Sequence, residues 1–274
     1  MQKKVIPNIL SIAGVDPSGG AGIFADLKAM SALGGYACGV VAALTAQNTQ
    51  GVTGVQGVSA AFVKQQLDTL FADVRIDAVK IGMLSDVSVI ETVAQALKTY
   101  RPPFVVLDPV MVAKSGDRLL PEDCVEALKS ELLPLATVIT PNLPEAAVLS
   151  GLPEADSAEA LVPMAQKLST LVAPDGWVLL KGGHLNDSEA PDLLTNGTEQ
   201  HIFTAPRILT KNTHGTGCTL SSAIATLLPQ TESVPQAVRQ AKDYISQAIA
   251  HADELEVGHG HGPVHHFYRL WREK

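Results

Sequence analysis

Short apolar runs alternate with amphipathic stretches along almost the whole chain. Residues 9–13, 36–44, 78–81, 104–107, 137–140 and 177–181 have the length and apolar content of buried strands. Between them the apolar spacing shifts to three and four. Ile23, Leu27, Met30 and Leu33 share one helical face after Gly19 and Gly20. Ser59 precedes a helix with Val63, Leu67, Leu70 and Phe71 inward, and Asp86 precedes one with Ile90, Val93 and Leu97 inward. Further helices are predicted at 121–132, at 142–149 with Gly151 as its stop, and at 157–172, where Pro163 bends the helix or limits it to its first turns. The interval 182–206 is richer in turn residues. Within it, 192–195 and 200–204 flank Asn196-Gly197 and predict an antiparallel hairpin. Two helices follow. The first carries Leu220, Ile224, Leu227 and Leu228, the second Val238, Ala241, Ile245, Ala248 and Ala252. The tail from 258 to 274 has no periodicity, only aromatic anchors.

This alternation predicts an α/β fold, a mostly parallel sheet covered on both faces. No repeat or composition break divides it, so residues 1–274 read as one domain. Ligands of such sheets bind beyond the carboxyl ends of the strands. The unusual motifs fall there. GVDPSGGAG, TAQNTQG, GM, DPVMVAKSG, TPNLPE and KGGH each follow a strand candidate. That placement favours an enzyme over a scaffold.

Composition narrows the partners. The chain has 274 residues, 46% of them apolar, and a formal charge of -8 with scattered basic residues. Nucleic-acid binding is disfavoured on that charge. No apolar run has the length of a membrane span, and the N-terminus reads as a first strand and not as a signal peptide. Cys38, Cys124 and Cys218 show no metal spacing, which predicts a reducing, cytoplasmic location.

The most informative stretch is KNTHGTGCTL, at 211–220. Gly215 and Gly217 bracket Thr216 and lead straight into a helix. The free amides of such a start cradle phosphate or a charge that develops during reaction. The same field favours a thiolate at Cys218. The alternative is a plain turn with a small buried thiol. Other positions keep two readings. Asp16 makes a turn hydrogen bond or binds a ligand. Asp26 points outward or reaches over the sheet edge. Gln47 and Asn48 read a heterocycle edge or cap their loop. Met83 packs on a flat ring or in the core. Asp108, Asn142 and Glu145 are oxygen ligands for Mg²⁺, while Asn142 and Glu145 also have capping-box spacing, and both roles are compatible. Lys181 offsets a transferring phosphoryl group or stands at the surface. Gly19, Gly20 and Gly22 match neither the P-loop nor the dinucleotide fingerprint. His184, His214, His259, His261, His265 and His266 form no zinc pattern, and the tail histidines read as solvated.

Seven motifs stand in order: AGVDPSGGAGIFADLKA, TAQNTQGV, KIGML, DPVMVAKSG, TPNLPEA, LLKGGH and THGTGCT. Together they resemble the hydroxymethylpyrimidine and phosphomethylpyrimidine kinases of thiamine biosynthesis, a branch of the ribokinase-like superfamily. The resemblance implies a three-layer α/β/α sandwich, commonly paired as a homodimer. It implies an enzyme that uses ATP and Mg²⁺ to phosphorylate a pyrimidine alcohol and then its monophosphate. It puts Gln47 on the pyrimidine edge, with Gly14, Ala21, Asp26, Met83, Val110 and Cys218 around it. Gly215, Thr216 and Gly217 become the anion hole, with Thr213 beside it in the ATP site. Lys181 contacts ATP phosphate, Asn142, Glu145 and Asp108 organise Mg²⁺, and 113–119 resembles a flap. Sugar kinases of the superfamily carry an aspartate where this chain has Cys218, which leaves the base open. Pyridoxal kinases share a similar pocket and are the alternative within the reaction class. A non-catalytic binding protein is the rival outside it, but it would need neither the glycine turn nor Lys181.

Overall fold

A computed structural model describes residues 5–111, 122–183 and 191–271. In chain order the elements are β1 (Asn8–Val15), α1 (Gly22–Ala32), β2 (Tyr36–Gln47), β3 (Val52–Gly57), α2 (Ala60–Phe71), β4 (Ala78–Ile81), α3 (Val87–Tyr100), β5 (Val105–Leu107) and α4 (Glu122–Ala127). There follow β6 (Val138–Ile139), α5 (Leu143–Ser150), α6 (Ala158–Ser169), β7 (Trp177–Lys181), β8 (Asp192–Thr195), β9 (Gln200–Phe203), α7 (Thr216–Leu227) and α8 (Val234–Ala250). Among the described residues the strands form one 9-stranded sheet in the order β3-β2-β1-β4-β5-β6-β7-β8-β9. From β2 to β7 neighbouring strands are parallel. Antiparallel strands flank them on both sides.

The sheet sorts the helices by their apolar faces. One core layer joins Val63 and Leu67 of α2, Ile90 and Val93 of α3, Cys124 of α4, Ala146 of α5 and Leu161 of α6. The other joins Met30 of α1, Ile224 of α7 and Ala241 and Ile245 of α8. Because central strands are covered on both sides they read as continuous apolar runs, as in AVKI of β4, buried at all four positions. The expected α/β sandwich and the hairpin at β8–β9 are both present.

Several details differ from expectation. β2 runs on to Gln47, and β3 pairs back on it, so most of TAQNTQG is strand and tight turn instead of open loop. VTGVQG is polar, glycine-containing and almost wholly exposed, so no apolar alternation marked it. The helix begun by α4 continues into a π turn at Leu128–Leu132. Pro163 lies inside α6, which runs unbroken but ends at Ser169, short of 172. In the tail, His265 and His266 are buried, not solvated. Tyr244 Oη donates to the His266 carbonyl at 2.8 Å, and His266 Nε2 meets Thr219 Oγ1 at 3.0 Å. Burial there drives the His266 imidazole down to about 3, so the ring packs neutral. The expected flap at 113–119 and His184 lie outside the described residues.

The tail backbone also straps two loops together. His261 N donates to Thr49 O at 2.8 Å, Gly262 N to Asn212 Oδ1 at 3.1 Å, and His214 N to Gly262 O at 3.0 Å. A Cβ on Gly260 would stand 2.0 Å from Thr49 O. Gly260→Ala is therefore expected to lift the strap from the β2–β3 turn and lower Tm by on the order of 5 °C. An unchanged melting curve would show that the strap bears no load.

Candidate active site

The site is built where two glycine turns touch. After β1, Asp16 accepts from Ser18 N at 2.9 Å, Ser18 Oγ at 2.8 Å and Ala21 N at 3.0 Å, the turn role considered for it. Its Oδ2 also faces His214 Nε2 at 2.7 Å. Burial would raise this carboxyl, but the bonds to His214 and Ser18 hold it below its usual range. Gly215 follows His214 in the left-handed region, φ 76°, and a Cβ there would lie 1.8 Å from Gly20 O. The positive φ and the backbone contact both require glycine. Gly215 is the N-cap of α7 and provides no side-chain cap. The leading amides of α7 thus have no intrahelical acceptor and lie at its positive end.

Below this helix start stands a charged cluster from three strand ends. A Cβ on Gly217 would be 3.4 Å from both Asp108 Oδ2 and Lys181 Nζ. Asp108 Oδ1 accepts from Thr140 Oγ1 at 2.9 Å and pairs with Lys181 Nζ at 3.2 Å. Asn142 and Glu145 form a complete capping box on α5, each side chain bonding the other's amide at 2.9 Å. A bridge between Asn142 and Lys181 fixes the box beside the lysine. Burial would lower the Lys181 ammonium, but Asp108 and Glu145 hold it above its usual value. Burial, reinforced by Asp108, pushes Glu145 up to about 7 against the pull of Lys181.

Among the described residues no group of three His, Cys, Asp or Glu is arranged to hold a metal ion. The cluster nonetheless has two carboxylates for one ammonium, and its crowded Glu145 fits the arrival of a cation through few protein oxygens and water. Asn142 Oδ1 is committed to the cap, so its part in such a site is to hold Glu145 in place. The native state keeps a proton on Glu145 that the unfolded chain, with a value near 4.5, releases. Stability should accordingly fall as pH rises from about 4.5 to about 7, by on the order of 3 kcal/mol, and level off above. Glu145→Gln keeps the capping geometry and should flatten that slope in Mg²⁺-free melts. Identical slopes for both proteins would contradict this environment for Glu145.

The remaining pocket positions converge on the same edge. A Cβ on Gly14 would stand 3.5 Å from Met83 Sδ, and Val110 N donates to Asp108 O at 2.8 Å. Ala21 precedes Gly22, whose amide donates to the Cys218 sulfur. Gln47 Oε1 accepts from Thr45 Oγ1 at 3.1 Å, and the same hydroxyl bonds Val15 O at 2.9 Å, which ties Gln47 to the end of β1. Asn48 caps its own turn through Gln50 N at 2.8 Å. Gln47 lines a small cleft with His214 and His261.

Two expectations need correction. Cys218 is not held as a thiolate. Burial pushes its thiol up to about 11, Asp26 and Asp108 add to this, and Lys80 with the Gly22 amide only partly opposes them. The helix-start field is outweighed by desolvation. Asp26 neither points outward nor reaches over the edge. It is fully buried and salt-bridged to Lys80. Sequence reasoning missed Lys80, whose only signal is a charge inside the apolar run AVKI, and missed the His214–Asp16 contact, which spans 198 positions.

A strand-edge lysine and carboxylates beneath an uncapped glycine helix start, on this sheet order, define a phosphotransferase of the ribokinase-like class. The chain matches the phosphomethylpyrimidine kinase family over residues 16–265 and belongs to it. It is 54% identical to the hydroxymethylpyrimidine/phosphomethylpyrimidine kinase of Escherichia coli, covering 96% of this chain and 98% of that one. Among solved structures, the phosphomethylpyrimidine kinase of Clostridium difficile is 40% identical, with TM-score 0.78, over 89% of this chain and 99% of that one. The ADP complex of Bacillus subtilis pyridoxal kinase is 35% identical, with TM-score 0.88, over 97% of this chain and 100% of that one.

Proposed function

We propose that this enzyme transfers the γ-phosphoryl group of ATP to 4-amino-5-hydroxymethyl-2-methylpyrimidine and then phosphorylates the monophosphate to the diphosphate. The observation that carries the reading is the uncapped start of α7 over the Asp108–Lys181 pair, each of whose charged atoms lies 3.4 Å from where a Cβ on Gly217 would stand. Phosphoryl transfer through a loose transition state asks mainly for alignment and charge stabilisation. The amides of Gly217 and Cys218 and the Lys181 ammonium supply that stabilisation from fixed positions. Asp108 and Glu145 would hold Mg²⁺, which would supply charge neutralisation on the phosphates. Asn142 orients Glu145, and Thr213 stands beside the nucleotide.

The acceptor lies between Gln47 and Cys218, with Gly14, Ala21, Met83 and Val110 along the ring. Gly14 lets the ring approach β1, and Met83 covers one face. Cys218, protonated near neutral pH, positions the hydroxyl, and the proton that hydroxyl loses as the O–P bond forms passes to an oxygen of the transferring phosphoryl group or to solvent. Residues 1–274 act as one kinase domain in the cytoplasm. Two copies pair through apolar residues left exposed on the β2–β3 hairpin, Leu44 and Val55. Sedimentation velocity at micromolar concentration should show a dimer, and a monomer would refute the pairing.

The test of the assignment is ADP release with the pyrimidine alcohol and with pyridoxal, each with Mg²⁺. The pyrimidine should be the better acceptor. Gln47→Glu keeps the shape but loses the donor, and should weaken the pyrimidine by about 1–3 kcal/mol, with a different loss for pyridoxal. Equal losses, or none, would remove Gln47 from ring recognition.

A further inference from the structure

Buried among the elements that border the proposed acceptor pocket are charges that the reaction chemistry above does not use. Lys80 of β4 and Asp26 of α1 are both 0% exposed. Lys80 Nζ donates to both Asp26 oxygens, at 2.9 and 2.8 Å. The remaining lone pairs are filled by Ser11 Oγ of β1 at 2.6 Å and Ser222 Oγ of α7 at 2.7 Å. Burying an ion pair is commonly neutral or worse than an apolar substitute of equal volume, so packing alone does not call for this arrangement. Its geometry follows the pocket instead. The four elements that meet here also carry or border Gly14, Ala21, Met83 and Cys218. Ser222 lies one helical turn beyond Cys218, and a Cβ on Gly82, just before Met83, would stand 2.7 Å from Lys80 Nζ.

We propose that Lys80 is a positioning residue of the acceptor pocket, its ammonium, anchored by the Asp26 carboxylate that Ser11 and Ser222 also hold, orienting the start of α7 and setting the electrostatic field at Cys218. The proposal rests on Cys218 belonging to that pocket. Among the charges that act on Cys218 are Lys80 from β4, Asp26 from α1 and Asp108 from the segment after β5; the Gly22 amide bonds its sulfur, and the Lys181 ammonium lies 3.4 Å from where a Cβ on the neighbouring Gly217 would stand. Of the positive charges, Lys80 acts on it most strongly.

The test reads Cys218 itself, without substrate. Iodoacetamide modification of this half-buried thiol is followed by peptide mass spectrometry from pH 7 to 11 in the full chain. Lys80→Met should move the alkylation profile upward by on the order of one pH unit, and Asp26→Asn should move it downward. Opposite shifts are the signature of a field set by the pair. Shifts in the same direction, or none, would show that the network is a structural pin only and would overturn the proposal. Each single variant strands a buried partner, so Lys80→Met/Asp26→Leu, which removes both charges at similar volume, is measured alongside. It should fold with near-parental Tm and yet raise KM for the acceptor about tenfold while leaving KM for ATP unchanged. A parental acceptor KM in that double variant would also overturn the proposal. Failure of the pyrimidine assignment would appear separately, as a different preferred acceptor with the alkylation shifts intact.

Discussion

Gly217→Ala should fold like the parent and turn over about a hundredfold more slowly. The added methyl would meet Asp108 Oδ2 and Lys181 Nζ at 3.4 Å, an ordinary contact, so nothing in the resting protein must move. It would, however, stand where the proposed mechanism brings the transferring phosphoryl group into the helix-start cradle. The backbone N–H survives, but a phosphoryl group held off one well-placed donor by the methyl forfeits on the order of 3 kcal/mol of transition-state stabilisation. Acceptor affinity should change little, since the ring contacts proposed above are Gln47 and Met83. Gly215→Ala is the contrasting variant. There the methyl would collide with Gly20 O at 1.8 Å on a backbone with φ 76°, so stability itself should fall. Steady-state turnover with melting curves for both proteins separates the effects. Parental turnover in Gly217→Ala would remove this turn from the transition state.

The second large effect is expected at Lys181. Lys181→Met should lower turnover by about 10²–10³-fold, the range seen when one preorganised electrostatic contact is lost. The monophosphate acceptor brings its own negative charge, so the second phosphorylation should suffer more than the first. Without the ammonium, Asp108 and Glu145 face each other uncompensated, and the Glu145 carboxyl should rise further. Single-turnover measurements of each step test this. Losses of less than threefold in both steps would make Lys181 a structural partner of Asp108 only.

The sequence carried the central sheet because buried parallel strands and amphipathic helices leave strong periodic signals. AVKI, FVVL and WVLL are apolar throughout, and the faces at Ile90, Val93 and Leu97 or at Val238, Ala241 and Ile245 are spaced as helices require. It was silent on β3, where one exposed edge strand needs no apolar alternation. The site was legible as a set of strand-end motifs, and the geometry brings Gly217, Asp108, Lys181 and Glu145 into one cluster. Its electrostatics were not legible. A helix start predicts a thiolate at Cys218 from local field alone, while the value about 11 reflects burial and two aspartates contributed by distant segments. In the same way Asp26 and Lys80, 54 positions apart, neutralise each other only once the fold has formed. The buried tail histidines were misread for a similar reason, since their packing against Thr219 and Tyr244 is wholly tertiary.

The central claim is that one cradle at the start of α7 serves two successive phosphoryl transfers to a pyrimidine. Its most direct test is a ³¹P NMR time course of the purified chain with ATP, Mg²⁺ and the pyrimidine alcohol. A monophosphate resonance should rise first and then give way to diphosphate, with both conversions slowed together in Gly217→Ala. ATP hydrolysis without phosphorylated pyrimidine, or a second conversion untouched by Gly217→Ala, would contradict it.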